Sequence, residues 1–378
     1  MPKTLNVGMI GYKFMGRAHS NAWLKADKFF DVKARPVRKV ICGRDRANVA
    51  AMAYRFGWEK FETDWREIVN DPTIDIVDIC TANDTHAEIA IAAARAGKAI
   101  LCEKPLALNV KQAKAMADAV KKAGVVAMVC HNYRRIPAIA LAKKMLEAGD
   151  LGRIYHYRAR YAQDRLVDPN YPFGWRFQRQ IAGSGANGDI NSHIVDLGRY
   201  LVGEFSEVCG QMETFIKERP LPGEPNKTGK VTVDDTIMFI GRFAGGALAN
   251  LEATRYALGR KNGIQIEING SKGSLVFDFE DMNRLKYYNN GDPADRRGFR
   301  DILVTQSGGV HPYVGNWWPP GHILGYEHTF VHTIADFINA VVDSRPVQPT
   351  FDDGLANQIV LDAVVKSARA RKWVKTGG

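Results

Sequence analysis

The sequence has few cysteines, no apolar run of membrane length and no tract of one charge sign. Its five cysteines, Cys42, Cys80, Cys102, Cys130 and Cys209, show no short paired spacing. Neither a disulfide framework nor a C-x-x-C zinc site is expected, no metal is assigned, and the thiols read as buried and reduced. No stretch approaches the roughly 18 apolar residues that span a bilayer. The start, Met1-Pro2-Lys3-Thr4, leads into a strand pattern rather than an apolar leader, so the reading is a soluble, cytoplasmic protein without a membrane partner. The net charge is +11, yet lysine and arginine are spread along the chain and form no basic stripe. A nucleic-acid partner is therefore not expected. Repeats and low-complexity tracts are also missing, which sets aside solenoids and disordered tails.

What the chain does have is 378 residues, 46% of them hydrophobic, enough for two domains of ordinary size. Leu5-Asn6-Val7-Gly8-Met9-Ile10 reads as a buried strand, followed by Gly11-Tyr12-Lys13-Phe14-Met15-Gly16 and a helical pattern. Strand, glycine turn and helix make a phosphate site, because a helix N-terminus offers unpaired N–H groups and partial positive charge. The full fingerprint is G-x-G-x-x-G, and Lys13 stands where its second glycine would be. Further strands at Val37–Cys42, Ile74–Cys80, Lys98–Cys102 and Val125–Cys130 alternate with helices stopped by Gly57, Gly97 and Gly124. This alternation predicts a parallel sheet, a Rossmann-type α/β domain over residues 1–131.

From residue 132 to 378 the pattern changes to a predicted α+β domain. Ile154–Tyr161, Thr232–Phe243, Ala247–Tyr256, Ile264–Ile268 and Ser274–Phe279 read as strands of a large, mostly antiparallel open sheet. The breaker-rich Arg219–Lys227 reads as an exposed loop, and helices are expected near Tyr326–Val342 and Asp353–Arg371. A sheet covered on one face leaves a broad apolar surface, which predicts a homo-oligomer, dimer or tetramer, through that face.

Cys102-Glu103-Lys104-Pro105 places a charged pair where a strand should end, the edge at which open α/β sheets gather their chemistry. In the second domain, Asp189, His193 and Asp196 fall at i, i+4 and i+7 of one helix face behind Gly183-Ser184-Gly185. Tyr133, Arg134, Tyr161, Gln163, Trp175 and Arg176 offer ring surface with convergent donors, candidates for the wall of a ligand site. The second strand ends Cys42-Gly43-Arg44-Asp45. No acid stands at its tip for the ribose hydroxyls, while Arg44 suits a 2′-phosphate and Asp45 an inward turn.

Together these motifs resemble the glucose-fructose oxidoreductase, inositol dehydrogenase and MocA (Gfo/Idh/MocA) family. The resemblance covers essentially the whole chain: the glycine turn, Thr81-Ala82-Asn83 with His86, Glu103-Lys104-Pro105, Asn132-Tyr133-Arg134-Arg135, Trp175-Arg176-Phe177 and Gly188-Asp189 with His193. The family often has glycine where Lys13 stands and proline where Ala82 stands. The resemblance implies an NAD(P)-dependent dehydrogenase acting on a secondary hydroxyl of a sugar, anhydrosugar or glycoside. It implies an acid/base group of Lys104, Asp189 and His193. Cofactor contacts would come from Gly11, Lys13, Phe14, Met15, Gly16, Arg44, Asp45, Thr81, Asn83, His86, Glu103, Lys104, Asn132, Trp175 and Arg176. Substrate contacts would come from Lys104, Tyr133, Arg134, Tyr161, Gln163, Asp189 and His193. A cationic nicotinamide beside an amine favours the neutral amine, which then accepts the hydroxyl proton. Two alternatives share these residues: an oxidoreductive glycosidase with tightly bound dinucleotide, and a non-catalytic sensor.

Overall fold

The computed structural model describes residues 3–377, the side chain of Pro225 excepted. The fold divides into two compact units: residues up to Asn132 with Leu324–Gln358, and Tyr133–Ile323 with the segment from Ile359 onward. This differs from a single cut after residue 131, because a late helix returns to the first unit.

In the first unit, β1 (Thr4–Ile10), β2 (Arg35–Cys42), β3 (Lys60–Glu62), β4 (Ile76–Ile79), β5 (Ala99–Cys102) and β6 (Ala127–Val129) form one sheet. Its order is β3-β2-β1-β4-β5-β6, and every pair is parallel. Val7, Ile41, Ile76, Val77, Ile79, Ile100 and Leu101 are buried. Covering both faces of the sheet is what makes its strands read as continuous apolar runs. Helices α1 (Phe14–Phe29), α2 (Arg46–Phe56), α3 (Trp65–Asn70), α4 (His86–Arg95) and α5 (Val110–Ala123) connect the strands. Gly57 and Gly124 end α2 and α5 with φ of 64° and 66°, the left-handed conformation that a side chain resists. The strand order reverses between β1 and β4, so ligands are expected beyond the carboxyl ends of the strands there.

In the second unit, α6 (Pro137–Glu147) precedes β7 (Ile154–Ala162), the short α7 (Arg179–Ala182) and α8 (Ser192–Leu201). Then come β8 (Phe205–Glu213), β9 (Glu218–Leu221), β10 (Glu224–Lys230), β11 (Thr236–Phe243), β12 (Leu248–Thr254), β13 (Gly263–Gly270), β14 (Gly273–Asp278), β15 (Arg284–Asn289) and β16 (Arg300–Leu303). Helix α9 (Tyr326–Val342) belongs to the first unit, where it packs on α1. Helix α10 (Phe351–Ala370) and β17 (Val374–Lys375) end the chain. Nine strands form a sheet in the order β16-β15-β14-β13-β7-β12-β11-β8-β17. Its neighbours run antiparallel except β12 with β7.

Two expectations are corrected here. The stretch Arg219–Lys227 is not an open loop: most of it lies in the antiparallel pair β9 and β10. Fully buried Arg219 anchors it, donating to the carbonyls of Leu166 (2.6 Å) and Asp168 (2.8 Å) and to the Tyr256 hydroxyl (2.7 Å). Second, the outer face of the large sheet is mixed, not broadly apolar. One rung runs Gln211, Met238, Glu252, Arg160, Gln265, and the next Cys209, Ile240, Asn250, Arg158, Glu267. Exposed Met238 and Ile240 stand among charged and amide side chains. Among the described residues, no helix is long and apolar enough to cross a membrane.

Candidate active site

The first unit supplies a phosphate cradle. Gly11 has φ of 110°, and a Cβ there would lie 2.4 Å from the Cys80 carbonyl oxygen; one on Gly16 would lie 2.2 Å from that of Gly11. Only glycine fits at either position. Lys13 precedes α1 with its side chain exposed, and among the described residues no side chain caps that helix start. The N–H groups of Phe14, Met15 and Gly16 open the helix, where intrahelical partners are lacking. The turn fits a pyrophosphate. The Phe14 ring stacks at 6.4 Å on Tyr326.

At the tip of β2, Arg44 is exposed and Asp45 caps α2, accepting from the backbone N–H of Asn48 (3.1 Å) and its Nδ2 (2.6 Å). Those bonds hold the Asp45 carboxyl below its ordinary value. Thr81 receives the Thr85 hydroxyl at 2.7 Å, and Asn83 begins a one-turn 3-10 helix. Asn132 is buried and donates from Nδ2 to the Thr329 hydroxyl at 2.7 Å.

Lys104 follows β5 directly. The Glu103 N–H donates to the Ile79 carbonyl (2.9 Å), extending the ladder with β4, and the Lys104 N–H donates to Glu103 Oε2 (3.1 Å). The Lys104-Pro105 peptide is cis. His86, expected at the cofactor, is fully buried, with its ring nitrogens 3.1 Å from the Pro105 carbonyl and 3.3 Å from that of Thr81. Burial pushes its pKa down, which favours the neutral ring. The structure thus gives His86 the place of a brace behind the lysine turn. Glu103 is likewise buried behind it.

Behind Glu103 lies a cluster that sequence spacing did not show. His19 of α1, fully buried, sets Nδ1 2.9 Å from Asp78 Oδ2 and Nε2 2.9 Å from Glu103 Oε1. The Trp23 indole N–H donates to Asp78 Oδ2 at 2.7 Å, and Cys130 Sγ is 3.6 Å from His19 Nε2. Cys130 thus has a close histidine, brought from 111 residues away. Burial alone would discharge the imidazole, but Asp78, with Cys80 and Cys130, outweighs it and raises the His19 pKa well above its ordinary value. Burial pushes the Cys130 thiol up to about 12.

In the second unit, Asn187–Asn191 forms a π-helical turn ahead of α8 rather than the start of a regular helix. Asp234 holds this turn, its carboxylate accepting the N–H groups of Gly185 and Asn187 at 2.7 Å each. A Cβ on Gly185 would sit 1.7 Å from the Asp234 carbonyl oxygen, which requires glycine there. Asp189 accepts from Nη2 of buried Arg255 at 2.7 Å. His193 is stacked on the Tyr133 ring at 4.4 Å, with Tyr161 tilted against it at 5.9 Å. The Tyr161 hydroxyl and Gln163 Nε2 both donate to Asn262 Oδ1, at 2.6 and 2.8 Å.

Asp196, spaced in sequence with Asp189 and His193, is taken up by an ion pair. It is buried, and Arg134 grips it with Nε (2.8 Å) and Nη2 (2.7 Å). Arg134, expected at the sugar, is thereby committed to a buried ion pair and packs over Tyr200 at 4.9 Å. The Arg176 guanidinium lies 4.3 Å over the Trp175 ring. With Gln163, Tyr171, Asp189 and Arg255, this pair lines a cavity of about 130 Å³. Burial lowers the Arg176 pKa; Asp189 opposes the shift, and Arg165 and Arg255 add to it. Arg255, Asn262 and Asp234 carry no motif of their own. Arg255 reads in sequence as the end of a strand, and only the fold shows its carboxylate.

Known proteins similar to this chain cover both units. Residues 5–131 match the oxidoreductase family with an NAD-binding Rossmann fold, and residues 139–276 match the Gfo/Idh/MocA C-terminal domain. The chain is 48% identical to levoglucosan dehydrogenase of Pseudarthrobacter phenanthrenivorans over 98% of both chains. Myo-inositol 2-dehydrogenase of Thermotoga maritima is 27% identical over 98% of each. A crystal structure of an oxidoreductase domain protein from Kribbella flavida superposes with a TM-score of 0.96 at 51% identity, covering all of both chains. Levoglucosan dehydrogenase in complex with NADH and levoglucosan does so at 0.95 and 49%, over 99% of each chain. The fold, the glycine cradle and full-length similarity converge: the chain belongs to the Gfo/Idh/MocA family of NAD-binding oxidoreductases.

Proposed function

We propose that this protein oxidises a secondary hydroxyl of an anhydrosugar or a closely related sugar with NAD. The observation that carries the substrate class is the 48% identity to levoglucosan dehydrogenase over nearly all of both chains. A bound nicotinamide supplies the hydride acceptor. Lys104 takes the proton of the sugar hydroxyl as the carbinol carbon becomes a carbonyl. Asp189, paired with Arg255, and His193, stacked on Tyr133, bind the hydroxyl and relay its proton. Gln163 and Tyr161, joined through Asn262, and the Trp175–Arg176 pair provide donors and ring surface for the sugar and cofactor. NAD is favoured over NADP by the NADH complexes of the relative and by Asp45, which places a carboxylate beside Arg44 at the tip of β2. The protein acts in the cytoplasm as a homo-oligomer that pairs outer sheet faces, a surface on which Arg158 lies beside Glu267 and Arg160 beside Glu252 within each chain's own sheet.

The test is to follow reduced nicotinamide with NAD and NADP separately across anhydrosugars, inositols, hexoses and glycosides, with product analysis. Turnover with NAD and an anhydrosugar is expected. Aglycone release without net reduction would make the protein an oxidoreductive glycosidase. Binding without turnover would make it a sensor.

A further inference from the structure

The reading of Lys104 as base leaves open what sets the lysine's direction as it leaves the sheet. The residues around it are polar and charged, beside a sheet whose own core is apolar. Four side chains from four segments, His19 and Trp23 of α1, Asp78 of β4 and Glu103 after β5, meet in a space where each is 0–4% exposed. Their hydrogen bonds form one unbroken line: Trp23 Nε1 to Asp78 (2.7 Å), Asp78 to His19 Nδ1 (2.9 Å), His19 Nε2 to Glu103 Oε1 (2.9 Å), and Glu103 Oε2 to the Lys104 N–H (3.1 Å). The groups facing the ring are Asp78, Glu103, Cys80 and Cys130, with the Phe330 ring of α9 at 5.4 Å. An imidazole between two carboxylates satisfies both only by donating from both nitrogens, which makes it an imidazolium. A buried carboxylate without such a partner turns toward water or takes up a proton.

We propose that His19 is a positioning residue for the reaction, holding Asp78 and Glu103 so that the Glu103 carboxylate fixes the Lys104 backbone and with it the direction of the amine. His19 touches neither sugar nor cofactor in this role. It is distinct from the glycine cradle, although both belong to the segment around the start of α1. Because the chain of bonds ends on the lysine's own N–H, losing it affects the chemical step. Cofactor capture depends on the cradle and is left in place. This inference rests on the reading of Lys104 as base.

The experiment compares His19→Gln, Trp23→Phe and Lys104→Ala with the parent protein. For each it measures kcat, KM for levoglucosan, Kd for NAD, the pH profile of kcat and the thermal midpoint. His19→Gln is expected to lower kcat by about 30–100-fold and to displace the limbs of its pH profile, with Kd for NAD and KM each within about 3-fold. Trp23→Phe, which removes only the outermost bond, is expected to lower kcat by about 3-fold with the same unchanged KM. A folded His19→Gln protein with kcat and pH profile like the parent overturns the proposal. So does a loss that appears in KM or NAD affinity alone. Should His19→Gln not fold, Trp23→Phe decides: a selective fall in kcat supports the positioning role, and an unchanged kcat refutes it. Lys104→Ala separates the two levels. If it retains turnover, the assignment of the base has failed; if it is inactive while His19→Gln is not, only the positioning role has failed.

Discussion

Lys104 and His193, each in its own unit, are held by opposite means. Behind Lys104 the support is charge: Asp78, His19 and Glu103 in a buried line. Around His193 it is ring surface, Tyr133 stacked and Tyr161 tilted, with the charged pairs Arg255–Asp189 and Arg134–Asp196 set to either side along the helix. The difference teaches where rigidity comes from. A side chain at the end of a strand has a backbone that still donates and accepts, so hydrogen bonds to that backbone aim it. A side chain with helical turns on both sides, as His193 has with the π-turn before it and α8 after it, has its backbone bonds already made, so its ring is aimed by what packs against it.

The largest expected effect tests the charged side directly. Lys104→Ala should cost about 10²–10⁴-fold in kcat, the usual contribution of a positioned acid or base, with NAD binding within a few-fold. Steady-state rates and cofactor titration read both, and undiminished turnover would remove the lysine from the mechanism. Next comes Arg134→Ala, which takes the two-bond guanidinium partner from the buried Asp196 carboxylate. A loss of roughly 3–5 kcal/mol is expected in denaturant unfolding, as for other broken buried pairs. A change under about 1 kcal/mol would mean that Asp196 has another partner of equal strength. Smaller again is Arg255→Gln. Asp189 keeps 37% of its side-chain surface, so water replaces part of the lost partner. A fall of about 10–100-fold in kcat/KM is expected, with little change in stability. If stability falls and activity does not, Arg255 serves the fold alone.

The two units were also unequally legible. Nearly every strand of the first sheet could be read from apolar runs and glycine stops, because a parallel sheet buries both faces and its pattern is local. The exception, β3, has three residues and too short a run to register. In the second unit β7, β11, β12, β13 and β14 were legible within a few residues; β8, β15, β16 and β17 were not, and neither was the hairpin β9–β10. Its prolines and glycine speak for a loop, while its stability comes from Arg219 reaching carbonyls about 50 residues away. The same limit governs the site. Lys104, Asp189 and His193 stand in recognisable patterns. The residues that hold them, His19, Asp78, Arg255, Asn262 and Asp234, are found only through partners far off in the chain. Arg134 and Asp196 show the converse: polar residues that stand among the motifs and pair with each other in the core.

The finest distinction between the two supports is their dependence on pH, and its sign follows from the directions of the shifts. His19 is raised in the folded protein, so its contribution is complete below the ordinary imidazole value of 6.5 and drains away as pH rises toward the folded value. Glu103 runs the other way. Burial tends to raise its carboxyl, but the hydrogen bond and charge of His19, helped by Lys104, leave it below the ordinary 4.5. Its contribution is therefore present above that value and lost as pH falls through the folded one. The cluster should stabilise the protein most between about pH 4.5 and 6.5, with a slope on either side of at most about 1.4 kcal/mol per pH unit for each proton. In denaturant unfolding across pH 4–9, the gap between the parent and His19→Gln should be widest in that window and narrow above it. The gap between the parent and Tyr133→Phe, which removes a hydroxyl 3.4 Å from that of Tyr161 and leaves the ring in place, should change less through the same window. A His19→Gln gap that widens with rising pH would mean that the imidazole is neutral in the folded protein, and the charged line behind Lys104 would then have to be redrawn with a proton on one of its carboxylates.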